Sequence, residues 1–269
     1  MCRVLFLDGN VLNDPAVVYH CVMNILPEKG PIKAQAMIDV LTAPGRERMD
    51  PGTLGSEILR YALNTPEHTQ LSGVSNCHVP GMESIVLFAS DRGMVRFYRT
   101  PPGKHPLSSL SSAEGDFPLG VHNHQYPIVF LPLTPGFSNV DVVVDDRPRP
   151  NTPTLHEYHF TSALSSGGAF GLAYQGMRSV VDMRRKRFDP ETIYSMNSQD
   201  LHTVLIDDTQ APPEGTAWVV LEGAREDVAS RFFSHDPAKQ LSATGLYLPM
   251  DAEDIQRTIT SVYEASTRG

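Results

Sequence analysis

Cysteine is scarce in this chain: Cys2, Cys21 and Cys77 are the only three in 269 residues. Their number is odd and no two form a C-x-x-C pair, so a disulfide framework is not expected, and reduced thiols in a cytosolic protein are. Positive charge is also short. Twenty-two Lys and Arg stand against 31 Asp and Glu, a formal net charge of −9, which gives no general electrostatic reason to bind nucleic acid. Long apolar runs are missing. No stretch approaches the roughly 20 residues that a membrane helix needs, and the apolar start Val4–Leu7 is cut short by Asp8 and Gly9, unlike a secretory signal. A soluble, cytoplasmic protein without nucleic-acid or membrane partners is the expectation. Neither a G-x-S-x-G elbow nor a Walker sequence is present. Ser165-Ser166-Gly167-Gly168 is too short for a phosphate loop and lacks a following Lys-Ser/Thr. There is no internal repeat and no low-complexity tract.

What is present is a normal globular composition, 41% hydrophobic and 20% charged, in a chain long enough to bury roughly three quarters of its unfolded surface. Glycine (20) and proline (22) are frequent and suggest many turns and short strands. Residues 1–83 read as a helical layer. Helices are predicted from Asp14-Pro15 to about Leu26, from Pro31 to about Leu41, and from Thr53 to about Leu63, the last with Leu54, Ile58, Leu59 and Ala62 on one stripe. From residue 84 the period becomes strand-like. Ser84–Ala89 and Met94–Arg99 flank the turn Asp91-Arg92-Gly93 as a hairpin. Further strands are predicted at His122–Leu131, Val140–Val144, Leu155–Thr161, Ala169–Tyr174, Ser179–Met183, Thr192–Met196, Leu201–Ile206 and Ala217–Leu221. With no helical pattern among them, they argue for a closed or double-layered antiparallel structure, because an open sheet of that size would leave costly edges. Residues 226–269 add Ser230–Phe233, Leu246–Pro249 and a final helix capped by Asp251, with Ile255, Ile259, Val262 and Tyr263 as its apolar stripe.

Ten histidines are the feature most worth following. In Gly120-Val121-His122-Asn123-His124-Gln125-Tyr126 the two histidines are two residues apart, so on one strand both reach the same face and the same ion. That phase continues through Tyr126, Ile128 and Phe130. A third imidazole, His202, shares a face with Val204 and Ile206. Two histidines from one segment and one from a later strand make a facial set that leaves positions open on a transition metal. The spacing of His156-Glu157-Tyr158-His159 puts its two imidazoles on opposite strand faces, unlike H-E-x-x-H on a helix. His156, Tyr158 and Phe160 can still line a barrel. The opening Val4–Leu12 offers only Asp8 where a haloacid-dehalogenase phosphatase needs two aspartates, and Arg184-Arg185-Lys186-Arg187 reads as a solvated strand end or turn.

These pieces resemble the cupin superfamily: a lead-in strand Val95-Arg96-Phe97-Tyr98, the pair His122/His124, the segment Leu201-His202-Thr203-Val204, and the closing strand Ala217–Gly223. The resemblance spans about residues 84–225 and is closest to the three-histidine, cysteine dioxygenase-like branch. No carboxylate occurs between Tyr126 and Phe130, where most cupins carry a Glu ligand, and 78 residues separate His124 from His202. The resemblance implies a mainly β fold, a double-stranded β-helix barrel at 84–225 with an N-terminal helical extension (1–83) and a C-terminal strand and helix segment (226–269). It implies Fe(II), or another divalent transition metal, on His122, His124 and His202. Tyr126 and Tyr158 would be catalytic hydroxyls, and Arg96 and Tyr98 would contact substrate. The implied activity is an O2-using oxygenase acting on a small polar metabolite. A cupin isomerase, epimerase or lyase and a non-catalytic ligand-binding cupin are the alternatives. Pairing of two copies through sheet edges, a homodimer, is implied as well.

Overall fold

The computed structural model describes residues 51–64, 76–79, 82–90, 93–102, 120–147, 149–162, 171–190, 192–207, 209–223, 225–234 and 248–267. The predicted helices at 14–26 and 31–41, the apolar start, Cys2, Cys21 and the 165–168 loop lie outside them. Helix α1 (Pro51–Asn64) is followed by β1 (Asn76–Val79), β2 (Met82–Ser90), β3 (Gly93–Thr100), β4 (Val121–His122), β5 (Ile128–Pro132), β6 (Phe137–Asp145) and β7 (Thr154–Ser162). Then come β8 (Gly171–Phe188), β9 (Tyr194–Met196), β10 (Leu201–Ile206), β11 (Thr216–Glu222), β12 (Arg231–Ser234), β13 (Leu248–Pro249) and helix α2 (Ala252–Ser266). The chain is mainly β, and among the described residues every strand pairing is antiparallel.

Two sheets carry the strands. A seven-stranded sheet runs β13-β1-β2-β3-β11-β5-β9, and the pairings of a second, β10-β4-β12-β7-β8-β6, close on themselves. Strands β1, β12 and β13 lie outside residues 84–225, and each is paired into one of these sheets. The alternation of side chains along each strand sends the two faces of the first sheet to different clusters. Val95, Phe97, Val129, Leu131, Val219 and Leu221 pack with Leu54, Ile58 and Leu59 of α1 and Ile255, Ile259 and Val262 of α2, so both helices cover one face. Asp251 caps α2 as expected, its side chain accepting from the Asp254 amide. The opposite phase, with Ile128, Phe130, Trp218 and Val220, meets Phe137, Phe188, Val204 and Ile206 of the second sheet. This cluster between the sheets is the floor of the site.

Three predicted strands are corrected. Residues 122–131 are not one strand. Strand β4 ends at His122, and pairing resumes only at Ile128. The Asn123 amide takes over the role of the ladder, donating to Ala229 O at 2.9 Å and accepting from the Arg231 amide at 2.6 Å. Pro127, two residues after Gln125, has no N–H to give a ladder. Conversely, the strands expected at 169–174 and 179–183 form one 18-residue strand, β8, which pairs with β7 through its first half and with β6 through its second. Gly176 sits within it at φ 125°, a conformation that L side chains rarely adopt. It allows the irregular register at that point without ending the strand.

Candidate metal centre

His122 is the register partner of both His202 on β10 and Phe232 on β12. His124 follows in the irregular stretch, so the strand phase alone does not bring it to His122. The side-chain bonds of Asn123 on one side and of Gln125, whose amide donates to Val228 O at 3.1 Å, on the other hold the segment against residues 228–231. The outcome is nevertheless convergence. The ring centroids of His122, His124 and His202 are 4.8–5.0 Å apart in all three pairs. One ring nitrogen from each lies within 4.8 Å of the others.

The hydrogen bonds around the rings decide which nitrogens face one another. His122 Nδ1 donates to Gly120 O at 2.7 Å, which leaves its Nε2 as the inward donor atom. Gly120 has φ 83° and nothing within 4 Å of an added Cβ, so the demand for glycine there is conformational rather than steric. His202 is 2% exposed, and its Nδ1 lies 2.6 Å from Asn139 Oδ1. Its Nε2 stands 2.8 Å from His124 Nε2. Two bare lone pairs at that distance repel, so the two nitrogens share either a proton or a cation. Two nitrogens about 2.0–2.1 Å from one ion and at right angles would be about 2.9 Å apart, so this pair fits two ligands of one metal. Burial, the largest influence, lowers the basicity of both His122 and His202, with the neighbouring imidazoles adding to it at His202. Neutral imidazole is the form that binds metals.

The other residues singled out in the sequence are distributed as follows. Tyr126 packs its ring 5.5 Å from that of His124 and hydrogen-bonds Glu222. Glu222 was read only as the end of an apolar strand, yet it is 4% exposed and accepts from Arg96 Nε at 3.1 Å. Burial pushes its carboxyl above the ordinary range, against the opposing pull of Arg96. Arg96 also donates to Ser84 Oγ at 3.1 Å, and its Nη2 faces the Met94 sulfur at 3.0 Å. Burial opposes its charge, but Tyr98, Glu222 and Tyr126 outweigh it and raise its pKa. Tyr98 stacks on Trp218 at 5.7 Å within the cluster between the sheets, so the Arg96/Tyr98 phase points inward. Tyr158 is buried against Tyr174 and Phe232, two strands from His122 on the same register row. His156 meets Tyr174, whereas His159 meets Glu157 at 3.0 Å, in keeping with opposite faces. Each residue of the basic run Arg184–Arg187 has a polar partner: Asp182, Ser138, Asp141 and Asp189 in turn.

The sequence reading missed Asn139 and Asp141. Asn and Asp are depleted in strand interiors, so Asn139-Val140-Asp141 at the head of an apolar strand was the available signal. Among the described residues no helix is long and apolar enough to cross a membrane.

Fold and site together define a mainly β protein of two antiparallel sheets whose three converging histidines could bind a metal ion. A solved cupin domain from Bordetella pertussis Tohama I is similar over 54% of this chain and 95% of its own, at 16% identity and a TM-score of 0.28. No protein-family model matches the chain, and no curated protein matches it.

Proposed function

We propose that this protein is a metal-dependent cupin oxygenase, with a barrel over about residues 84–225, that uses O2 and histidine-coordinated, non-heme Fe(II) on a small polar metabolite. The observation that carries the reading is the convergence of His122, His124 and His202 between two sheets, with ring nitrogens within 4.8 Å. Three neutral nitrogen donors leave positions open for substrate and oxygen. A divalent ion held by these histidines would supply Lewis-acid polarisation and activation of O2; iron is chosen through the cupin resemblance, since imidazole suits zinc, copper and nickel too.

The chain's own residues divide the remaining work. Phe130, with its ring 6.0 Å from that of His202, and the apolar cluster beneath exclude water from one side of the triad. Tyr126, beside His124 and bonded to Glu222, is the hydroxyl suited to hold or pass a proton. Tyr158 is assigned a second hydroxyl on the His122 row. Tyr98 and the Nη2 of Arg96, which faces the Met94 sulfur, a weak acceptor, are assigned the polar groups of the substrate. The Tyr126–Glu222 pair also favours a second reading, a cupin isomerase, epimerase or lyase that needs acid–base groups but no oxygen.

Elemental analysis and oxygen uptake test the proposal together. Protein reconstituted with Fe(II) should carry about one ion per chain and consume O2 only when a member of a metabolite panel is present. Turnover without oxygen would favour the isomerase or lyase. Tight ligand binding without turnover would favour a binding protein. Less than about 0.1 ion per chain would leave the histidines structural.

A further inference from the structure

We propose that Asn139 and Asp141 are positioning residues that lock His202 into its Nδ1–H tautomer, so that its Nε2 lone pair is aimed at His122 and His124. The side chains form a strut behind the triad. His202 Nδ1 lies 2.6 Å from Asn139 Oδ1, Asn139 Nδ2 donates to Asp141 Oδ1 at 2.6 Å, and Lys186 Nζ reaches Asp141 Oδ2 at 2.8 Å. Tyr194 closes the strut from β9. Its hydroxyl donates to Asp141 Oδ1 and accepts from Asn139 Nδ2 at 3.1 Å, and Lys186 Nζ stands 4.7 Å over its ring.

The direction of the chain follows from the chemistry of each group. A carboxylate paired with Lys186 accepts hydrogen bonds, so Asn139 must turn its NH2 toward Asp141. Its carbonyl oxygen is then left facing His202, and a carbonyl can only accept. His202 must therefore carry its proton on Nδ1. Register brings the parts together: Asp141 is the partner of His202 across β6 and β10, and Asn139 the partner of Lys186 across β6 and β8. Asn139 is fully buried, so no water competes for its amide. One residue of the basic run thereby acquires a task at the site.

The inference rests on the metal reading for its purpose, but the tautomer can be measured without any metal. Long-range 1H–15N spectra of the metal-free, 15N-histidine-labelled protein should show His202 as the Nδ1–H tautomer. In Asp141→Asn the neighbouring amide is free to present either end to Asn139, so both His202 tautomers should appear and zinc affinity should fall about 10- to 100-fold. Asn139→Leu should lose at least as much. An Nε2–H tautomer for His202 in the parent protein would overturn the proposal, as would an Asp141→Asn variant with unchanged tautomer and zinc affinity. A parent protein with the stated tautomer but no zinc binding supports the strut and counts against the metal reading alone.

Discussion

His202→Ala is expected to lower bound divalent metal from about one ion per chain to below about 0.1 after reconstitution, and His122→Ala and His124→Ala should do the same. His202 is 2% exposed on β10, with β4 on one side and β6 on the other. His156→Ala and His159→Ala serve as controls and should keep full metal content, because these side chains are engaged with Tyr174 and Glu157 instead. Metal content by elemental analysis, alongside a circular dichroism spectrum to verify folding, is the measurement. Full occupancy in His202→Ala would break the triad.

The second large effect is on stability. Glu222→Leu should destabilise the protein by about 3–5 kcal/mol, the usual cost of stranding one member of a buried ion pair. It leaves the Arg96 guanidinium buried, and arginine has no accessible neutral form. Arg96→Met should cost less, because the remaining carboxyl can neutralise itself by taking up a proton. The sign of the pH dependence follows. The folded-state pKa of Glu222 is raised by burial, so its contribution is fully present below the unfolded carboxyl pKa and is lost as pH rises through the folded value. Removing Arg96 removes the opposing pull and steepens that loss. Urea midpoints across pH for each single variant and for the double variant check this, with the double variant expected to lie closer to the parent than Glu222→Leu does.

Much of the scaffold could be read from the sequence because period-2 alternation and turn residues act locally. The hairpin of β2 and β3, strand β10, and helix α2 with its Asp251 cap fall where the patterns put them. The failures have non-local causes. The strand through His122 and His124 is interrupted because Asn123 spends its side chain on residues 229–231, more than a hundred positions away. The triad was legible because histidines two apart, together with one on a later strand, announce themselves by residue type. Its supports were not, since only register across β6, β8 and β10 unites Asn139, Asp141 and Lys186 with His202, and Tyr194 reaches them from β9 in the other sheet. Glu222 was hidden in the same way, an acidic residue closing an apolar run whose partner Arg96 lies on the adjacent strand β3.

The central claim is that three imidazoles hold one ion, and the direct test is X-ray absorption fine structure at the iron edge of the reconstituted protein. The account predicts three imidazole nitrogens in the first coordination sphere, falling to two in His124→Ala if any metal is retained. A sphere with fewer than three imidazoles in the parent protein, or one containing sulfur, would contradict it.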